Sequence, residues 1–504
     1  MNFSDTEIVL SIMKEAGYGV TTDSTSADVI FLNTCAIREK AEQRIWQRLT
    51  ELKHLKSKRK KTKPLTVGVL GCMAERLKEQ LLDKEKMVDL VAGPDAYRDI
   101  PRLLHTVHTT AAQAINVALS ADETYAEISP VRYSGNGISA FVSIMRGCNN
   151  MCTYCIVPFT RGRERSRPAD SIVAEIEELS RNGIKEVVLL GQNVNSYNDL
   201  SGVTDAASLP PAPIAEGFET VYKRPKVGVS FTELVERIAR IDPEMRIRFT
   251  SPHPKDFPQE LIQLIKESVN VCKSIHIPAQ SGSTECLARM RRGYSREAYV
   301  NLIKNIREVV PEMTLSSDFI SGFCGETEEE HLETISLLEE IRFDTAYMFA
   351  YSMREKTPAH RKLQDDVPEE TKKRRLQEVI DTFHKNAFLK NKGEIGNVHL
   401  VLVEGRSRKS AEELKGRADN NKKVIIPDTE APDLRPAARG GGDAPIPRDM
   451  APTKKIEPGD YVVVEIEQST GLALKGKPLG ITTQGDYWNN KEQWNKWISE
   501  KRKK

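Results

Sequence analysis

Long hydrophobic runs are missing from this sequence. No apolar stretch approaches the ~20 residues that a bilayer crossing needs, so the reading excludes a membrane-spanning chain. Cysteine is scarce, with eight among 504 residues. That density excludes a secreted disulfide scaffold, and the clustering of the few present argues for metal or redox chemistry in a reducing compartment. Net charge is almost absent, since 74 Lys+Arg against 72 Asp+Glu leave +2. The sum hides local basic runs such as KHLKSKRKKTK (Lys53 to Lys63). Such a run reads either as a solvated helix face or loop, or as an RNA-facing patch. The opening MNFSDTEIV carries acids and no arginine, which fits neither a secretory signal nor a transit peptide.

A chain with 39% hydrophobic and 29% charged residues has the composition of a globular enzyme, and its length suggests about three domains. Residues 1–130 alternate amphipathic helical stretches with the apolar runs ADVIFLNTC, LTVGVLGC and VDLVAG. That alternation predicts an α/β domain with a parallel sheet covered on both faces. Residues 131–390 repeat it around ISAFVSIMRG, IKEVVLLGQN, MRIRFTS, SIHIPAQ, MTLSSDFISG and DTAYMFAYS. Six βα units in a row predict a partial (β/α)6 barrel of the TIM type. Over 391–485 the short runs NVHLVLVEG, KVIIP, GDYVVVEIE and GLALKGKPLGITT predict a small β-barrel. Two Pro-, Ala- and Gly-rich segments, 198–228 and 427–455, read as mobile surface loops. The tail 486–504, with three of the four tryptophans, reads as a docking helix or as disordered.

The stretch RGCNNMCTYCIVPFTRGRERSRP, Arg146 to Pro168, places Cys148, Cys152 and Cys155 within eight residues just after the first barrel strand. Three thiolates so spaced can wrap one loop around a cube of iron and sulfur and leave one iron without a protein ligand. Zinc is the alternative, but it prefers four ligands and no fourth Cys or His lies nearby. Active sites of such barrels lie at the C-terminal ends of strands, where this loop falls. Arg161, Arg163, Arg165 and Arg167 follow at once. Guanidinium groups suit phosphate contact and stacking on bases, although they would equally pair with acids of the next helix, EIEEL.

With Tyr154 before the last thiolate, these cysteines resemble the signature of the radical S-adenosylmethionine (SAM) superfamily. The resemblance implies that Cys148, Cys152 and Cys155 hold a [4Fe-4S] cluster whose open iron chelates SAM. It also implies that Tyr154 contacts the cofactor and that Gln192 and Asn193 (LLGQN), Ser251 (FTSPHP), Gln280 (IPAQSGS) and Asp318 (SSDFISG) line the same mouth. The narrower resemblance is to the methylthiotransferases of the MiaB group. It runs through FLNTCAIREKAEQR, GCMAER, LLGQNVNSY, RFTSPHPKDF, SSDFISGFCGETEE, AYSMREKTPA, LVEGRSRKS and GRADNN, most strongly toward the animal mitochondrial branch. It implies methylthiolation of isopentenylated adenosine beside the tRNA anticodon, with threonylcarbamoyl adenosine or a ribosomal protein as alternative acceptors. A flavodoxin-like N-terminal domain, a terminal barrel resembling the RNA-binding TRAM domain and a mitochondrial location, with the cytosol as alternative, come with it. The partners it implies are the tRNA anticodon arm, an electron donor of unspecified kind and a kinase-related protein.

The family holds its sulfur on a second [4Fe-4S] cluster in the N-terminal domain. Cys35 and Cys72 each end a strand and begin a helix, so they are expected to converge at one sheet edge with thiolates favoured by the helix dipole. The family's first ligand lies in a GCQMN motif after a first strand, and this chain opens at what resembles its MN. The expectation is therefore a sheet without its first strand, an incomplete second cluster and poor sulfur transfer from this exact chain, with an enzyme that copes with two ligands as the alternative. A truncated, non-catalytic RNA- or partner-binding form is the remaining reading. Cys272, Cys286 and Cys324 are expected to be packing residues.

Overall fold

A computed structural model of the chain describes residues 1–36, 39–59, 64–84, 87–122, 125–132, 137–203, 217–220, 227–435 and 451–494. Most of the two Pro/Ala/Gly-rich segments and residues 495–504 lie outside the described residues.

Four parallel strands, β1 (Val29–Thr34), β2 (Thr66–Gly71), β3 (Leu90–Ala92) and β4 (Ala114–Asn116), pair in chain order. Every residue of β2 is buried, as a strand covered on both faces requires. Strand β4, only three residues long, carries too little pattern to be read from sequence. Helix α1 (Asn2–Glu15) turns Ile8, Val9, Ile12 and Met13 inward at helical spacing, and also buries Asp5 and Glu7. In the basic run after it, Lys56 pairs with Asp89, and Arg59 donates to the carbonyls of Thr25 and Ala27. These two cations brace the domain; residues 60–63 of the run lie outside the described residues.

The central six strands are β5 (Ser139–Ser143), β6 (Glu186–Leu190), β7 (Arg246–Phe249), β8 (Ser274–His276), β9 (Thr314–Ser321) and β10 (Thr345–Ala350). They form two parallel triplets, β5-β6-β7 and β8-β9-β10, joined by a bridge from Ile247 to Val271. Among the described residues β5 and β10 do not pair, so this is a partial barrel, open along one side. Helices on the outside close the core; Ile172, Ile176 and Leu179 show the spacing of one buried helix face.

The C-terminal strands β11 (Val398–Arg406), β12 (Glu413–Ala418), β13 (Lys423–Pro427), β14 (Tyr461–Ser469) and β15 (Ala473–Thr482) close as β11-β12-β13-β15-β14. Strand β12, ELKGRA, escaped the sequence reading because only Leu414 is a large apolar residue. Its Gly416 is obligatory, since a Cβ there would stand 2.4 Å from the Leu402 carbonyl oxygen. Up to residue 494 the tail docks: Tyr487, Trp488 and Trp494 pack against Val398, Leu400 and Tyr461.

This small barrel closes the N-terminal end of the large one. Arg246 donates to the carbonyls of Leu400 (2.7 Å) and Arg417 (2.8 Å), and Arg248 to those of Ala418 and Asp419. Arg248 also holds Glu186 at 2.7 Å. Burial alone would raise the Glu186 carboxyl, but Arg248, with Arg246 and Arg417 beside it, outweighs burial and holds the group below its ordinary range. A depressed carboxylate contributes stability that is complete above its unfolded pKa and lost as pH falls through the folded value. The first calorimetric transition is therefore expected to drop as pH falls below about 4.5, and this part of the drop is absent in Glu186→Gln.

Candidate active site

The cysteine loop leaves the barrel at the C-terminal end of β5. Its neck is a two-residue antiparallel ladder, Met145–Ser166 and Arg146–Arg165. Gly147 sits at φ +75°, and a Cβ there would come within 2.0 Å of the Arg163 carbonyl oxygen, so only glycine closes the neck. At the tip, Thr153 accepts from Ala359 N and donates from its own N and Oγ1 to Met290 and Arg289 carbonyls. Between the second and third cysteines a turn joins Cys155 N to Cys152 O at 3.0 Å.

Arg292 was not singled out by the sequence, and it organises this loop. Its buried guanidinium donates to Cys152 Sγ and Tyr154 Oη, each at 3.3 Å, to Tyr294 Oη at 3.0 Å and to the Pro278 carbonyl at 3.1 Å. One side chain thus ties the cysteine loop to the end of β8. Tyr154 lies behind the loop, packed against the Phe323 and Cys324 cluster. Cys272, Cys286 and Cys324 are buried, as packing residues should be.

The donor set fits an iron–sulfur cluster. Burial pushes the Cys148 thiol well up, and the neighbouring Cys152 and Cys155 add to the push. Burial and then Cys152 raise Cys155 to about 12. Thiols raised as Cys148 and Cys155 are become stable thiolates only beside a strongly cationic centre.

The predicted mouth residues behave differently from one another. Gln192 Oε1 is buried without a hydrogen-bond partner among the described residues. Ser251 and Gln280 hold φ of +65° and +71°, a strain of ~1–3 kcal/mol each that concentrates at functional sites. Asp318 faces the barrel interior with His276 Nε2 at 3.6 Å. Asn193 is a correction: it is fully buried, accepts from His253 N at 3.1 Å and donates to Asp256 at 3.0 Å. It braces two strand ends and does not open to the mouth.

The arginines need a larger correction. Arg161, Arg165 and Arg167 are 4%, 7% and 8% exposed, too deep for RNA. Arg161 donates to Asp5 (2.6 Å), Arg165 to Asp95 (2.8 Å) and the Ser120 carbonyl, and Arg167 to Glu175 and Ser171. Only Arg163 is exposed. The acids that bury the others come mainly from distant segments, which the local sequence could not reveal.

At the edge of the N-terminal sheet, β1 and β2 pair with Thr34 opposite Gly71, which places Cys35 and Cys72 side by side. Cys72 opens helix α2 (Cys72–Leu77), and the described helix beyond Cys35 runs Glu39–Lys58. The expected thiolate-favouring dipole does not prevail at Cys72, where burial raises the thiol and Arg161 only partly opposes it. Cys72 packs with Ala36 and Ile156, and Ile156 directly follows Cys155. Both cysteine groups therefore flank one boundary.

Three family models match the chain: "Radical SAM superfamily" over 142–338, "Uncharacterized protein family UPF0004" over 1–93 and "TRAM domain" over 392–479. The chain is 56% identical to the rat "Mitochondrial tRNA methylthiotransferase CDK5RAP1", covering 96% of this chain and 80% of that one. It is 52% identical to the "tRNA-2-methylthio-N(6)-dimethylallyladenosine synthase" of Amoebophilus asiaticus, covering 85% of each. The fold and the cysteine loop define a radical SAM enzyme, a transferase that uses an iron–sulfur cluster with SAM. Within that class, the chain belongs to the MiaB group of methylthiotransferases.

Proposed function

We propose that the enzyme adds a methylthio group to C2 of isopentenylated adenosine beside the anticodon of mitochondrial tRNA, using a second cluster at Cys35 and Cys72 as the sulfur site. The observation that carries this reading is the meeting of two cysteine groups at one boundary, one at the mouth of a barrel and one at the edge of a sheet. When bound, the two clusters with two SAM molecules supply a one-electron route to a 5'-deoxyadenosyl radical, a sulfur atom and a methyl group. The protein supplies position. Arg292 holds the Cys152 sulfur in place; Gln192, Gln280 and Asp318 offer polar atoms to the ligand at the mouth; and the gap between β5 and β10, with half-exposed Tyr347 on its rim, admits a splayed base. The small barrel sits at the opposite end of the large one from the cysteine loop, so bound RNA reaches the mouth along the outside.

Mass spectrometry of mitochondrial tRNA nucleosides, with and without the protein, tests the reading. Loss of the 2-methylthio form of isopentenyladenosine is expected. Loss of methylthiolated threonylcarbamoyl adenosine instead, or an unchanged nucleoside profile, would assign another acceptor or a non-catalytic role. For the RNA contact, Arg163→Ala is expected to weaken tRNA binding and to reduce the salt dependence of log Kd by about one charge. Arg165→Lys is expected to leave that slope unchanged.

A further inference from the structure

Both edges of the open barrel carry an aromatic side chain on the inner face. Ala140 and Val142 of β5 pair in register with Val187 and Leu189 of β6, and these with Ile247 and Phe249 of β7. Phe249 meets Phe231 of the helix Phe231–Ala239 edge-on, 5.2 Å between ring centroids. That set faces the outer helices, so Phe141, between Ala140 and Val142, faces inward. On β10, Tyr347 is the register partner of the inward-facing Asp318. Phe141 is 37% and Tyr347 50% exposed, and their strands are the two that do not pair across the opening among the described residues. Each ring has one aromatic brace, Phe3 of α1 at 5.6 Å from Phe141 and His276 of β8 at 5.8 Å from Tyr347. The two walls differ in chemistry. Beside Tyr347, His276 Nδ1 lies 3.0 Å from Ser316 Oγ and its Nε2 3.6 Å from Asp318, so polar atoms flank an aromatic face. Beside Phe141 stands a second phenyl ring, Phe3, 38% exposed. Flat aromatic rings stack on nucleobases, and phenyl surface favours the burial of apolar groups.

We propose that these two walls grip the splayed adenosine and select it. Tyr347 stacks on the purine, with His276 and Asp318 beside its polar edges, and Phe141 with Phe3 takes the branched apolar substituent on N6. The inference rests on the acceptor reading above and deepens it. A substituent that ends in a carboxylate, as threonylcarbamoyl does, would lose its hydration against two phenyl rings, so the β5 wall favours the isopentenyl group. Because Phe3 belongs to the N-terminal domain and Phe141 to the barrel, two domains together form that wall.

The test is the binding of anticodon stem-loops to the full chain, reconstituted without oxygen, read by fluorescence anisotropy at one fixed salt concentration. One stem-loop carries isopentenyladenosine beside the anticodon and the other carries unmodified adenosine there. The parent is expected to prefer the first. Tyr347→Ala is expected to weaken both by about tenfold, and Tyr347→Phe to bind like the parent, because the ring and not the hydroxyl makes the stack. Phe141→Ala is expected to weaken the isopentenylated stem-loop alone, by about tenfold, and so to abolish the preference. Should Phe141→Ala fail to fold, Phe3→Ala on the same wall is read in its place. A parent that prefers the isopentenylated stem-loop, with the preference intact in Phe141→Ala or the affinity intact in Tyr347→Ala, overturns this inference alone. A parent without the preference overturns the acceptor reading and this inference with it.

Discussion

Cys152→Ala is expected to end 5'-deoxyadenosine formation and to remove about four bound irons per chain. Cys152 is the middle cysteine of the loop and its proposed central ligand, 5% exposed, and the one whose sulfur accepts from Arg292. Removing it leaves two thiols and a buried guanidinium that has lost one acceptor, and no other cysteine in the described structure is placed to replace it. Iron analysis and chromatography of the SAM products after anaerobic reconstitution read both effects. Cys324→Ala, a packing change in the Phe323–Tyr351 cluster, keeps the iron content and separates loss of a ligand from loss of a sulfur atom. If Cys152→Ala retained SAM cleavage, the ligand assignment would be wrong.

Asp5→Ala has the largest expected effect on stability. Its carboxyl, although burial works to raise it, is held below the ordinary range by Arg161 and Arg146. Deleting one partner of a buried ionic group typically costs ~3–5 kcal/mol, here with two guanidiniums left facing each other. For a protein of this size class that corresponds to a first thermal transition lowered by on the order of 10 °C. Because Arg146 and Arg161 are the two ends of the cysteine loop, iron retention at that loop is expected to fall with it. Asp23→Ala, which removes an exposed turn carboxylate bonded to Thr25, is the matched control and changes neither. An Asp5→Ala protein with the unaltered transition would show that the carboxylate is not the brace.

Much of the architecture was legible because its signals are local. The apolar runs of the barrel strands and the spacing of Cys148, Cys152 and Cys155 are read within one window, and the structure places all six runs on strands of one partial barrel. What was illegible depends on pairing across long sequence distances. Asp5 meets Arg161 across 156 residues and Arg165 meets Asp95 across 70. An arginine row that looks like an RNA surface thus becomes internal bracing. Arg292 carries no local sign of its contact with Cys152, 140 residues away. Asn193 looked like a ligand-binding residue because it ends a strand in a polar run, yet both ends of its amide are already committed. Strand β12 was missed for the opposite reason: two of its three inward positions, Gly416 and Ala418, are small, and at Gly416 β11 approaches too closely for a side chain.

The account stands most directly on the response of the reduced protein to SAM. Anaerobically reconstituted full chain, reduced and titrated with SAM under electron paramagnetic resonance, is predicted to show an iron–sulfur signal whose shape changes on saturation. The change should persist when Cys35 and Cys72 are replaced by Ala and vanish in Cys152→Ala. A protein without iron, or a signal indifferent to SAM, would contradict it.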